Sequence, residues 1–399
     1  YSDMQREYAQ RLPTPGSAVW TDATLGAGTS AAVANGFPNL DSPFNSDLPY
    51  DIEQTALFGE ATYDVNDKLQ MTFGGRYYNT DEVRVITTGG LFANGDAGQV
   101  NETSSSGFTP RVLAKYNLNE NTTLNAQISQ GFRLGGVNDP LNTPVCSAQD
   151  LAIFGGYQDY GDETLWNYEV GFKSTLGNGA TLNAAAFYAD MEDLQVTLDA
   201  GSCSSRITFN VPEAKSSGVE IEYTSQPTDN LELSIAASAI NAKFKSTVMD
   251  ATGSVLGGLE NGNRLASVPE VQLAATTTYL FPLDRGDGFI SATVHYIGDR
   301  ITQPGDQRPG EGNFASGLAF GGASGADVTS LDLILASYTI LNFRAGVTID
   351  NGWEAAIYMN NATDENANLS FDRERGGRAR LGFRTNQPRT IGVTVRRSF

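Results

Sequence analysis

A single histidine, His295, carries all of this chain's imidazole. Zinc and haem sites lean on His, and Ser-His-Asp catalysis needs one held in a cleft by partner groups. His295 sits in a run that reads as a strand, with no supporting motif beside it, so the residue types argue against an enzyme. Cys146 and Cys203 are the only thiols, too few for a zinc site or an iron–sulfur cluster. Both lie in polar stretches, which fits a disulfide in an oxidising compartment; two unpaired surface thiols are the alternative. The run GFRLGG at 131–136 resembles a phosphate loop, but no Lys-Ser/Thr and no helical pattern follow it, so its glycines serve a turn. Asp190, Glu192 and Asp193 offer calcium-binding oxygens, with a solvated loop rim as the plainer reading. No metal and no cofactor is expected.

The arginines are more informative. Arg373, Arg375, Arg378, Arg380 and Arg384 form a basic patch in a chain of net charge −20. Their forked donors suit carboxylate or phosphate. They are candidates for binding an anionic ligand, and the alternative is pairing with Asp364, Glu365 and Asp372. Arg133 and Asn138, at the end of a strand, are a second pair of ligand-facing candidates. The acidic balance excludes nucleic acid as a partner, since such surfaces are basic.

These residues must be positioned by strands. In the closing stretch PRTIGVTVRRSF, Ile391, Val393, Val395 and Phe399 fall on one face, and Thr390, Gly392, Thr394, Arg396 and Ser398 on the other. Arg397 interrupts the apolar face, where a long side chain can snorkel towards headgroups. The same alternation recurs at 69–78, 166–173, 231–236 and 343–350. Short Asn/Asp/Gly/Pro turns stand at Asn66–Lys68, Asn119–Asn121, Gly177–Gly179, Pro227–Asn230, Pro282–Asp287 and Asp350–Gly352. Between them lie long polar stretches at 86–106, 133–163, 191–212, 246–266, 298–337 and 365–387. Every second connection is short. A soluble sandwich has no reason to keep that rhythm, whereas an outer-membrane β-barrel does, with short periplasmic turns and long external loops. No apolar run of about 20 residues exists for a membrane helix. Tyr63, Tyr77, Tyr116, Trp353 and Phe399 sit near strand ends, as an interfacial girdle requires. The expected fold is all-β: a transmembrane antiparallel barrel portion of about 14 strands. Residues 1–52 would give one partial strand and a long loop, and 53–399 about 13 strands. Cys146 and Cys203 then fall in neighbouring external loops, where a bridge is reasonable.

Several stretches resemble TonB-dependent outer-membrane receptors of the iron-complex type: ALFGEATYDVNDKLQMTFGGRYY (56–78), SQGFRLGGVN (129–138), NYEVGFKSTLGNGATLNAAAFYADMEDLQV (167–196), SGVEIEYTSQPTDNLELS (217–234), YTILNFRAGV (338–347), YMNNATDE (358–365) and the closing strand. The resemblance implies a barrel of about 22 strands enclosing a plug. Residues 1–399 are expected to hold the last strands of it without the plug. It further implies TonB-dependent uptake of a scarce solute, above all a ferric siderophore, at the outer membrane of a Gram-negative bacterium. The implied partners are the TonB–ExbB–ExbD complex, that small-molecule ligand, and outer-membrane lipid or lipopolysaccharide. Two other classes fit the residues alone: a passive porin or channel, and a β-rich surface adhesin or lectin.

Overall fold

In the computed structural model the described residues are 1–177, 179–203, 205–315, 327–349, 352–373 and 381–398. They form one antiparallel sheet of 14 strands in which every strand pairs with its sequence neighbours. The strands are β1 (Ser2–Arg11), β2 (Asn45–Asp64), β3 (Leu69–Gly89), β4 (Ala97–Asn119), β5 (Thr122–Arg133), β6 (Glu163–Thr175) and β7 (Thr181–Asp199). They continue as β8 (Arg206–Thr228), β9 (Leu231–Phe244), β10 (Val271–Leu283), β11 (Gly286–Ile297), β12 (Tyr338–Ile349), β13 (Trp353–Asn360) and β14 (Thr390–Arg397). Among the described residues no pairing joins β14 back to β1.

The turn rhythm holds at one end of the sheet. Asn66 closes the β2–β3 turn by accepting the Lys68 and Leu69 N–H groups at 2.9 and 3.0 Å. Asn119 accepts the Asn121 N–H at 2.9 Å in the β4–β5 turn. These side chains satisfy backbone donors that a tight reversal leaves unpaired. Asn178, Asp350 and Asn351 lie outside the described residues.

Two of the stretches expected to be long loops are mostly strand. β3 and β4 stay paired to Ile86↔Gln99, with 90–96 as the connection. β7 and β8 stay paired to Asp199↔Arg206. In water both faces of a hairpin can be polar, so the ladder continues where hydrophobic alternation stops. Ser104, Ser105 and Ser106, for instance, pair with Asp81, Thr80 and Asn79. The stretch before β2 also departs from expectation, because it carries two short helices, α1 (Ser17–Leu25) and α2 (Thr29–Val33), before the strand begins at Asn45.

One face of the sheet is an apolar belt. Phe73, Val112, Ile128, Tyr168 and Tyr188 are register neighbours across β3–β7. Ile290, Ala345, Ile357 and Val393 continue the belt across β11–β14. These side chains face outwards, with Val170 59% and Val393 70% exposed. A sheet whose largest aliphatics are exposed in continuous rows requires an apolar solvent. Tyr63, Tyr116 and Trp353 are likewise exposed near strand ends, whereas Tyr77 stands midway along β3, because that strand runs on to Gly89 beyond the expected loop boundary; Phe399 lies outside the described residues. Arg397, on the apolar face, lies over the Trp353 ring at 5.2 Å, so a cation–π contact holds it at the interface. The opposite face is polar and cross-linked. Arg111 donates to Glu60 at 3.1 Å and to Gln127 at 2.8 Å, and Arg344 donates to Glu354 at 2.8 Å.

Candidate functional site

Beyond the belt, at the end opposite the short turns, the loops build a core of the ordinary buried kind. Phe154 from the loop after β5, Met191 and Leu198 from β7, Ile207, Phe209 and Val211 from β8, and Phe244, Leu256 and Leu259 pack together. The long β7–β8 hairpin supplies most of this core, and a local reversal helps shape it. Asp193 takes a positive φ of 54° opposite Pro212, which has no N–H to pair. Below that point Met191 and Ala214 are buried; above it the buried set becomes Leu198, Ile207, Phe209 and Val211.

Cys146 and Cys203 are bonded within this core, tying the loop after β5 to the β7–β8 tip across 57 residues. Asp150 reinforces the tie. It lies in helix α3 (Ala148–Phe154), whose N-cap is Ser147, and its carboxylate accepts the Ser202 N–H at 2.9 Å and the Ser147 hydroxyl at 2.9 Å. The spacing Ser147-x-x-Asp150 is a helix-start signature present in the sequence.

Asn138, singled out as ligand-facing, is 7% exposed and taken up by the loop itself. Its amide donates to the Tyr157 and Thr208 carbonyls at 3.1 and 2.7 Å and accepts the Thr208 N–H at 2.8 Å. With its polar atoms engaged in clamping the loop to β8, it has no ligand-facing edge. Arg133 is ion-paired with Glu163 and donates to the Gln195 carbonyl at 2.8 Å, although its guanidinium stays about half exposed. Gln195, which no sequence signal marked, stitches the same strand ends together by donating to Leu134 and Gly161 carbonyls at 2.8 and 3.1 Å. Arg84 is the other anchor the sequence hid. Only 1% exposed, it donates to the Val137 carbonyl at 2.7 Å, pairs with Asp139, and lies over the Tyr50 ring at 5.1 Å.

The polar face of β1–β4 and the loop after β5 line a half-open cavity of about 800 Å³. Its wall carries Gln54, Thr80, Thr103 and Ser105, and its roof carries Tyr160 and Asp162. Burial first, then the charge of Glu82, pushes the Tyr160 phenol up, so it remains a neutral hydroxyl at working pH. Glu82, Glu102, Asp159 and Asp162 line it as well, so the space offers carboxylates beside its hydroxyls, an amide and one aromatic ring, and can bind and orient a small polar molecule. Among the described residues no cluster of His, Cys, Asp or Glu is arranged to hold a metal ion. Asp190, Glu192 and Asp193 stand on β7 rather than in a loop rim.

The arginine segment is only partly described. Arg375, Arg378 and Arg380 lie outside the described residues; Arg373 ends a short strand, Asn368–Arg373, paired with Leu381–Thr385. Arg384 is largely exposed and 3.9 Å from Asp372. Asp364 pairs instead with Arg389, also at 3.9 Å. The ribbon is tied to the neighbouring loop by Phe371, which packs on Phe314 with centroids 5.5 Å apart and donates its N–H to the Thr302 hydroxyl at 2.8 Å.

A family described as "TonB dependent receptor-like, beta-barrel" matches residues 3–362. The chain belongs to that family. The TonB-dependent receptor fold is seen again in solved structures. The ferric yersiniabactin uptake receptor FyuA from Yersinia pestis superposes with a TM-score of 0.67 at 18% identity, covering 90% of this chain and 47% of that one. The siderophore receptor PiuA from Acinetobacter baumannii gives 0.60 at 15% identity over 89% and 43%. The iron-regulated outer membrane virulence protein of Vibrio cholerae is 24% identical over 209 residues, 48% of this chain and 28% of that protein. The chain thus spans under half the length of these relatives. Family membership accounts for the belt: it is the wall of a β-barrel in the Gram-negative outer membrane, with the long loops outside.

Proposed function

We propose that this receptor binds a ferric siderophore in the mouth between its outer loops and delivers it inwards by TonB-dependent transport. The observation that carries the reading is the roofed polar cavity of about 800 Å³ on the inner face of an outer-membrane barrel wall, beneath loops locked by a disulfide. A mouth built this way suits capture of one scarce molecule. The names of the relatives point the same way, towards ferric yersiniabactin uptake, siderophore reception and iron regulation. Residues 1–399 contribute barrel wall and loops, and the TonB–ExbB–ExbD complex supplies the energy. The segment 373–384, with Arg384 and the neighbouring Arg373, Arg375 and Arg378, supplies the basic side of the mouth for an anionic chelate, and Arg133 a further guanidinium at its rim. Catalysis plays no part: transport is binding followed by release.

The test is uptake of radiolabelled iron, supplied as the native host's own siderophore complex. Deleting the receptor gene and deleting the host's tonB should each abolish uptake, and intact receptor should rise under iron starvation. Uptake that persists without tonB would leave a passive channel as the better reading.

A further inference from the structure

The cavity against β1–β4 holds polar groups that nothing in the protein uses. Glu82 of β3 is half-buried and has no hydrogen-bond or ion-pair partner among the described residues. Burial raises its carboxyl above the usual range, although Arg6 and Arg84 stand near enough to oppose the rise. Both guanidiniums are engaged elsewhere. Arg6 lies over the Tyr50 ring at 4.5 Å, and Arg84 donates to the Val137 carbonyl and pairs with Asp139. On β2, Gln54 donates to the Thr80 hydroxyl at 3.1 Å. That bond leaves the Gln54 amide oxygen without a donor and the Thr80 proton without an acceptor among the described residues. Thr80 is only 4% exposed, which keeps that proton from bulk water. The Tyr160 hydroxyl in the roof is also without a partner among the described residues. Unpaired polar groups in a sheltered space are costly, and a guest that pairs them recovers the cost.

The rest of the lining narrows the class of guest. Met4, Ile52 and Glu82 stand side by side in one register row, so an apolar strip runs up to the carboxylate. Leu134 adds to the strip from the loop after β5. Asp162 contributes fixed charge, because its carboxylate is held by the Gly135 N–H at 2.7 Å and by the Ser105 hydroxyl. Among the described residues no lysine or arginine lines the cavity, whereas Glu82, Glu102, Asp159 and Asp162 do. An anionic group is repelled from such a space and a cation is drawn to it. The arginine ribbon between β13 and β14 is a separate place, at the other end of the sheet order. An alkyl chain ending in an ammonium group, with its three donors, matches an apolar strip that ends on a carboxylate and an amide oxygen.

We propose that the molecule captured in the mouth carries an alkylammonium arm, its methylenes along Met4, Ile52 and Leu134 and its N–H groups donating to Glu82 and the Gln54 carbonyl. The inference rests on the siderophore reading and names a class within it: a ferric chelate with a free amine. The Thr80 and Tyr160 hydroxyls are left to donate to oxygens of the same chelate.

The test measures binding of the native host's ferric siderophore, purified from iron-starved culture, to the full-length receptor in detergent by isothermal titration calorimetry. The complex is compared before and after its amines are blocked with sulfosuccinimidyl acetate. Blocking should weaken binding by about tenfold or more, the scale of a hydrogen bond to a charged group. Glu82→Gln should weaken binding of the untreated complex to a similar degree, and blocking should then add little. Gln54→Glu adds a carboxylate and should tighten binding of the untreated complex only. Heat-dependent gel migration confirms that each variant is folded; should the Glu82 variant not fold, Gln54→Glu decides. The proposal is overturned by a siderophore that offers no amine to the reagent, by equal binding before and after blocking, or by a folded Glu82→Gln receptor that binds both forms as the unaltered one does. Failure of the untreated complex to bind at all overturns the siderophore reading itself, and this inference with it.

Discussion

The belt and the mouth of this receptor are built by opposite rules from the same strands. In the belt Val170, Ile290 and Val393 face outwards, and the sheet is held by its hydrogen-bonded ladder. In the mouth Phe244, Ile207 and Leu259 are sealed inside, and the loops are held by packing, buried polar anchors and one disulfide. The hairpin β7–β8 passes through both regimes. Its lower residues Ala186 and Val219 meet lipid, while its upper residues Leu198 and Phe209 meet other loops. The difference teaches that the solvent at each height decides which face of a strand is buried. Lipid removes the hydrophobic reason to hide aliphatics but requires every backbone group to be paired. Water restores the need for a core.

If this division is right, damage should stay in its own region. The largest effect is expected from Phe244→Ala, which should open the loop core by about 3–5 kcal/mol. The barrel should still assemble, while external protease cuts the loops and ligand binding is lost; failure to assemble would blur the division. Next come Val170→Arg and Val393→Arg, each costing about 2–4 kcal/mol near the midplane of the bilayer. Their expected outcome is reduced outer-membrane assembly, seen as loss of the heat-modifiable band, with normal binding by the molecules that do assemble. Asn138→Ala should release the loop after β5 at a cost of about 1–3 kcal/mol, the scale of leaving buried partners unpaired. Hydrogen exchange at 134–162 should rise while the belt is unchanged. The smallest effect concerns pH. Asp250 accepts the Thr252 hydroxyl at 2.6 Å and the Ser254 N–H at 3.0 Å, which holds its carboxyl below the usual range. A depressed carboxyl stabilises its turn above the ordinary carboxylate range and loses that contribution as pH falls through the lowered value. Protection factors in 250–254, taken relative to the intrinsic exchange rate at each pH, should therefore fall only on acidification past the ordinary range, with no change in the belt.

The belt was legible in the sequence because lipid enforces strict alternation. Val170, Val393 and the Asn/Asp turns each carry a local signal, and the number of strands followed from the rhythm of short and long connections. The mouth carried a local signal at its cysteines and at the Ser147-x-x-Asp150 helix start, and little else. Ser104–Ser106 looks like loop, yet it pairs as strand, because in water nothing in a polar hairpin distinguishes its faces. Asn138 looked like a ligand contact because it ends a strand beside glycines. What uses up its amide is Thr208, 70 residues away, a contact no local pattern encodes. Arg84 was hidden for the same reason, its partners Val137 and Asp139 lying on another loop.

The central claim is that one end of this sheet faces the outside and the other the periplasm, with the belt between. Single cysteines introduced in the full-length receptor at Asp250, Asp67 and Val393 test it, using a membrane-impermeant maleimide on intact cells. The account predicts labelling at position 250 in intact cells, at 67 only after the outer membrane is permeabilised, and none at 393 in either case. Labelling at 67 but not at 250 in intact cells, or ready labelling at 393, would contradict it.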